Sequence, residues 1–228
     1  CSSGELVDLQ VDRTRCIDDQ RMDQVTAKLK VGVLALQGDF AEHKSVLRRL
    51  GVDTVEVRLP QDLEDLDSLI IPGGESTTLG YLMDLYGLKK PIKDMANAGV
   101  PIWGTCAGMI MMASKLTGDG PIPMGLLDIV VVRNAFGRQL DSFEVDLDIR
   151  SLEGEPFRGV FIRSPVISKV GDGVDVLACL SDGAPVAVRQ KNLLATAFHP
   201  ELTDDPRLHH YFLGFCRQPD VLMSEDSN

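Results

Sequence analysis

From residue 30 onward the chain alternates short β-rich runs with stretches of helical period, which restricts it to an α/β sheet with helices packed on its faces. Residues 31–36 read as a buried first strand that Gly38 breaks. Phe40, His43, Val46, Leu47 and Leu50 then recur at helical spacing, with Gly51 placed to end the helix. Strands are predicted at 54–58 and 68–71, a helix with Ile92, Met95 and Ala96 on one face, a strand at 100–103, and an almost wholly apolar helix over 106–116. The second half is richer in strands, at 126–132, 143–149, 159–162, 174–180, 185–190 and 193–198, and closes on a helix carrying Leu208, Tyr211, Phe212 and Phe215.

Composition removes several classes of function. With 34 acidic against 23 basic residues the net charge is -11, which repels phosphate backbones and argues against a nucleic-acid partner. Apolar runs such as Ile129 to Val132 fall far short of the roughly 20 residues needed to cross a bilayer, so no membrane partner is expected. Neither a G-x-G-x-x-G nor a G-x-x-x-x-G-K-[ST] is present, which leaves no dinucleotide fingerprint and no P-loop. The 5 cysteines form no C-x-x-C pair and no Cys/His metal spacing, and their odd number argues against a complete disulfide framework. A reducing cytoplasm is the simpler setting, with no metal and no bound cofactor. Cys179 and Cys216 read as core residues, and His209 and His210 as neighbours on different faces of the last helix.

Three motifs carry chemistry, each directly after a predicted strand. Gly104-Thr105-Cys106-Ala107-Gly108 is a G-x-C-x-G between strand and helix, resembling a nucleophile elbow in which small neighbours allow a sharp turn. A thiol there sits at a helix N-terminus, where the dipole favours thiolate. A small buried cysteine accounts for the same residue equally well. His199-Pro200-Glu201 spaces a base and a carboxylate two residues apart, facing one way if the backbone is extended. An exposed histidine beside a helix-capping glutamate is the plain alternative. In Pro72-Gly73-Gly74-Glu75-Ser76, glycine N–H groups can turn toward a developing oxyanion and Glu75 toward an ammonium. The same residues also suit an ordinary strand-to-helix turn capped by Ser76 or Thr77. In a parallel sheet the strand ends bearing Cys106 and His199 open onto one carboxyl edge.

The stretches Gly32 to Gln37-Gly38, Pro72 to Thr78, Gly104 to Met109, Arg133-Asn-Ala-Phe-Gly-Arg-Gln139, Phe161 to Pro165 and Ala197 to Leu202 together resemble the glutaminase subunits of pyridoxal 5'-phosphate synthase, which are class I (triad) glutamine amidotransferases. The resemblance spans nearly the whole chain, and the motifs starting at Arg133 and Gly73 are the most particular to this family. It implies a single-domain three-layer α/β sandwich, flavodoxin-like, with a mostly parallel sheet, helices on both faces and additional antiparallel strands. It further implies that Cys106 attacks the glutamine carboxamide, His199 shuttles protons and Glu201 orients it, giving a thioester that water hydrolyses. Gly74, Glu75, Ser76, Arg133, Ile162 and Arg163 would hold the substrate's α-amino and α-carboxylate groups. Backbone N–H groups of Gly73, Gly74 and Ala107 would form the oxyanion hole, at about 3–4 kcal/mol per donor, with Gln37 near the hole and the partner interface. The implied partner is a barrel-shaped synthase subunit that takes up the ammonia, and pyridoxal phosphate is not held by this chain.

Residues 1–29 read as a mobile N-terminal extension, 30–217 as one amidotransferase domain and 218–228 as a polar tail. Three other identities compete: the amidotransferase subunit of imidazole glycerol phosphate synthase, a cysteine peptidase or chaperone-like hydrolase of similar fold, and a subunit that keeps the triad without turnover. The motif starting at Arg133 argues against the first, and a paired Glu75 and Arg133 against the second.

Overall fold

A computed structural model describes residues 29–133 and 142–217. The expected extension up to residue 28, the tail from 218, and residues 134–139 of the arginine-led motif lie outside the described residues. Leu29, assigned above to the extension, is buried in the main core.

Five strands form the parallel centre of the large sheet: β1 (Lys30–Leu34), β2 (Asp53–Val57), β3 (Ser68–Ile71), β4 (Ile102–Thr105) and β12 (Leu193–Thr196). They lie in the order β2-β1-β3-β4-β12, the flavodoxin-like arrangement, which reverses direction between β1 and β3. β11 (Pro185–Gln190) and β10 (Asp175–Cys179) extend the sheet antiparallel beyond β12. The central strands are buried on both faces, so β3 is continuously apolar after Ser68 rather than alternating.

Both sheet faces carry helices. Trp103 of β4 packs edge-on against His43 of α1 (Phe40–Arg49) and His209 of α5 (Arg207–Leu213). The next residue, Gly104, faces the opposite way, where a Cβ would come within 2.6 Å of the Gly108 backbone in α4 (Ala107–Met112). α2 (Ser76–Leu85) packs on α4, and α3 (Lys89–Asn97) follows with Ile92 fully buried.

The apolar stretch after Cys106 departs from its predicted helix over 106–116. The helix ends at Met112 and the chain continues as strand β5 (Ala113–Thr117), paired in parallel with β6 (Leu127–Val132), which also pairs antiparallel with β9 (Val166–Val170). Leu126 N–H donates to Met112 O and Gly125 N–H to Ala113 O, so non-local pairing takes these backbone groups from the helix. β7 (Ser142–Leu147) and β8 (Phe157–Ile162) form a separate hairpin. Its Phe161 stacks on Phe143 at 4.6 Å and meets Phe198 at 5.5 Å, which seats the hairpin over the end of β12.

Gly108 has a stricter packing requirement than any helix propensity imposes: a Cβ there would lie 1.9 Å from Ile71 O. Gly108→Ala is therefore expected to lower stability by about 1–3 kcal/mol through overpacking, seen as a lower urea midpoint. An unchanged midpoint would show that α4 can move off β3 at no cost.

Candidate active site

Cys106, His199, Glu201 and the two glycine turns sit at the carboxyl ends of the parallel strands, while Arg133 follows β6 and Ile162 and Arg163 come from the end of β8. The turn after β1 supplies Gln37, Gly38 and Asp39; the turn after β3 supplies Gly73, Gly74 and Glu75. Cys106 follows β4, and His199 and Glu201 follow β12. β4 and β12 are adjacent and parallel, with Thr105 opposite Thr196, which brings Cys106 and His199 together.

Cys106 has φ 48° and ψ −102°, a backbone strained for a residue with a Cβ, at a typical cost of about 1–3 kcal/mol. Its N–H donates to Thr196 O at 2.8 Å, and its carbonyl accepts from Ile110 N–H. Its Sγ lies 4.0 Å from Ile162 O, and the sulfur is near enough to His199 to favour the protonated ring. The N–H of Ala107, in the first turn of α4, has no acceptor within its own helix.

His199 and Glu201 meet, but not by strand alternation as the sequence suggested. β12 ends at Thr196, and Pro200 opens a 3-10 turn over Pro200–Leu202 with Glu201 inside it. The proline ring presets φ for such a turn. His199 Nδ1 lies 2.8 Å from Glu201 Oε1, and His199 N–H donates to Val160 O of the hairpin at 2.8 Å. A second carboxylate reaches the same nitrogen: Asp39 Oδ2 is 3.3 Å away. Burial alone would lower the pKa of His199, but hydrogen bonds to Asp39, Cys106 and Glu201 prevail and push it up to about 12. Glu201 moves up because it is buried, its contact with His199 opposing that shift. The two partners thus compete for one proton. With a second carboxylate and the sulfur also favouring the cation, the imidazolium form prevails. Asp39 moves down, first through its hydrogen bond to His199 and against its own burial.

Asp39, His199 and Glu201 offer ligand atoms within 4.8 Å of one another. Both carboxylates converge on one ring nitrogen, which suits a shared Nδ1–H rather than a metal ion.

The cleft over Cys106 encloses about 340 Å³, and Gly74, Glu75, Ser76, Ala107, Arg133, Ile162 and Arg163 all line it. Glu75 is the N-cap of α2, the place assigned above to Ser76 or Thr77: its carboxylate accepts from Thr77 N–H, Thr78 N–H and Thr78 Oγ1–H. Arg133 Nη2 lies 3.3 Å from Glu75 Oε1, and its Nη1 donates to Thr77 Oγ1 and Asp119 O. Gln37 Oε1 accepts from Glu75 N–H at 2.9 Å, and its side chain fills the space a Cβ on Gly74 would need. Gly73 passes so close to His199 that a Cβ there would lie 2.3 Å from Cε1. Arg163 shares the strained region with φ 42°.

Four residues near this site were not singled out as site residues from sequence. Asp39 had a signal, since it follows Gly38 in a turn at the same sheet edge. His43, Thr105 and His209 lie fully buried behind Glu201; the signal for His43 was a histidine at an apolar helical position, and Thr105 lay inside the motif around Cys106. A groove of about 750 Å³ lies elsewhere, between the β7–β8 hairpin and β10, and among the described residues that line it there is no histidine beside a nucleophile. It does border Cys179, which is exposed at the end of β10 rather than in the core as expected. Cys179 is the last residue of the edge strand β10, just past a register shift against β11. Cys216 packs partly buried against the core. No helix among the described residues is long and apolar enough to cross a membrane.

Comparison with known proteins matches residues 33–218 to the profile of the SNO glutamine amidotransferase family. A pyridoxal 5'-phosphate synthase subunit PdxT from Dehalococcoides mccartyi is 57% identical over 191 residues, covering 83% of this chain and 98% of that one. A protein of the same name from Roseiflexus castenholzii is 54% identical over 188 residues, covering 81% and 99%. A crystal structure of a glutamine amidotransferase superposes with a TM-score of 0.77 at 52% identity, covering 82% of this chain and 98% of that one.

The cap at Glu75 sets a pH dependence. Burial alone would raise its pKa, but hydrogen bonds from Thr77 and Thr78 outweigh this and lower it from 4.5 to about 2. A folded value below the ordinary one means that its contribution to stability is complete above pH 4.5 and is lost as the pH falls toward about 2. The urea-midpoint gap between wild type and Glu75→Gln should therefore narrow steadily between pH 6 and pH 3. A gap independent of pH would show that the charge of Glu75 contributes nothing to the cap.

Proposed function

Because this chain belongs to the SNO glutamine amidotransferase family, we propose a course for its reaction in which Cys106 is the nucleophile, His199 the proton carrier and Glu201 the group that orients it. The chain is a glutaminase that supplies ammonia for pyridoxal 5'-phosphate synthesis. The observation that carries the residue roles is the succession of Cys106, the His199 ring and Glu201, whose Oε1 lies 2.8 Å from His199 Nδ1, with Cys106 and His199 lining one cleft.

The α-amino and α-carboxylate groups of glutamine bind among Gly74, Glu75, Ser76, Arg133, Ile162 and Arg163, with Glu75 suited to the ammonium and the arginines to the carboxylate. The Glu75–Arg133 contact supports this clamp, since each already holds the other's charge in place. The Cys106 thiolate attacks the carboxamide carbon, forming a C–S bond and leaving negative charge on oxygen. N–H groups of Ala107 and of the Gly73-Gly74 turn receive that charge. Gln37 fixes this turn through Glu75 N–H. The His199 imidazolium gives its proton to the amide nitrogen, the C–N bond breaks and ammonia leaves a γ-glutamyl thioester. Water then adds to the thioester as His199 takes its proton; the C–S bond breaks, glutamate departs, and the thiolate and imidazolium are restored.

The reading extends to a synthase subunit as the partner that consumes the ammonia, supported by the names of the relatives. It also extends to a single amidotransferase domain over residues 30–217, supported by the matched span 33–218, and to the cytoplasm, supported by the unpaired Cys106 and Cys179 thiols.

Glutamate release from glutamine, measured with and without the cognate synthase subunit, tests these assignments. Turnover is expected to rise with the synthase and to fall by at least about 10³-fold in Cys106→Ala, as for loss of a covalent nucleophile. Turnover unchanged in Cys106→Ala would remove Cys106 from the reaction, and turnover indifferent to the synthase would remove the partner.

A further inference from the structure

Behind the cleft, the outer oxygen of Glu201 points into the protein. Among the described residues, none makes a hydrogen bond to the buried Glu201 Oε2. The group facing it is His43 of α1, whose Nε2 lies 3.2 Å from Oε2 and 3.3 Å from Thr105 Oγ1. The N–H direction favours Thr105, with the carboxylate oxygen to one side of it. On the other side of the ring, His43 Nδ1 lies 2.9 Å from Nε2 of His209 in α5, and His209 Nδ1 is buried with no hydrogen-bond partner among the described residues. Trp103 packs against both rings, at 5.6 and 4.9 Å between centroids. The charged and titratable groups acting on the pair are Glu201, His199 and, on His209, Arg49.

Only neutral rings fit here. Burial moves His43 well below its ordinary value and His209 down to about 3, so each ring carries one N–H and the 2.9 Å contact holds one of them. If His43 Nδ1 were the donor, its bare Nε2 lone pair would face the Glu201 carboxylate at 3.2 Å. His209 Nδ1–H would then be a buried donor with nothing to receive it. If His209 Nε2–H donates instead, His43 must carry its proton on Nε2. A donor then faces the carboxylate and Thr105, and the group left unpaired is a lone pair. The second pattern avoids both electrostatic conflicts.

We propose that His43 is a positioning residue for the glutaminase reaction: its Nε2–H, directed at Thr105, sets a positive ring edge 3.2 Å from the outer oxygen of Glu201, and His209 fixes the tautomer that puts the proton there. Glu201 thereby meets His199 at one oxygen and the positive edge of His43 at the other. Any slackness at Glu201 passes directly to the ring acting on Cys106. The proposal rests on the roles assigned above to Cys106, His199 and Glu201, and adds two residues to them.

Nitrogen-15 NMR of the full chain labelled at its 4 histidines reads the tautomer without reference to activity. His43 is expected as the Nε2–H form in wild type, and an Nδ1–H form would overturn the proposal. Kinetics in the complex with the synthase supply the second readout. His43→Leu fills the space but has no donor, while His43→Gln keeps an N–H near the place of Nε2. In His43→Leu, kcat for glutamate release should fall about tenfold or more, the scale for a residue that supports a reacting group, with KM within about twofold. His43→Gln should recover most of that loss. Equal kcat for the two variants, or a loss confined to KM, would overturn it. A wild type without glutaminase activity would instead reject the function assigned to the cleft, leaving the tautomer result to decide the His43 contact.

Discussion

The left-handed turn at Cys106 is the constraint on which the other features of the site depend. A residue with a Cβ at φ 48° is held there by surrounding structure. The Cys106 N–H is bound to Thr196 O, its carbonyl to Ile110 N–H, and the helix that follows lies directly on the end of β3. That approach leaves no room for side chains at Gly104 and Gly108. The two glycines of the motif are therefore demanded by β4, α4 and β3 touching, and the thiol is lifted to the sheet edge as a consequence.

Strand order then determines which groups the thiol meets. β12 lies beside β4 with Thr196 opposite Thr105, so the residues just beyond each strand become neighbours although they are distant in sequence. β1 lies on the other side of β3, and its turn brings Asp39 to the same histidine nitrogen that Glu201 binds. Two carboxylates and a sulfur around one ring raise the cost of removing its proton. The aromatic contacts of Phe161 with Phe143 and Phe198 bring in the β7–β8 hairpin, which supplies Ile162 O beside the sulfur.

The polar groups form two layers of different character. Toward the cleft, Glu75 and Arg133 are partly exposed, charged and mutually paired. Behind it, His43, His209, Thr105 and Glu201 are buried, and desolvation keeps both histidines neutral. A neutral imidazole pair can serve a carboxylate only through a particular tautomer, so the inner layer controls orientation where the outer one controls charge.

The sequence alone determined the α/β alternation, the three motifs after strands and the family they resemble, because short-range patterning, glycine turns and local spacing are properties of consecutive residues. It misplaced the apolar stretch after Met112, which pairs with β6 rather than continuing as helix, and it explained the His199–Glu201 contact by strand alternation where Pro200 makes a turn. Cys179 looked like core because burial depends on which strand ends at an edge. The cap at Glu75, the second carboxylate at Asp39 and the buried pair of His43 and His209 were decided only by tertiary structure. The last two depend on side chains brought together from separate turns, strands and helices, which no local spacing encodes; the cap is a local contact with Thr77 and Thr78, but which residue makes it depends on where the helix starts.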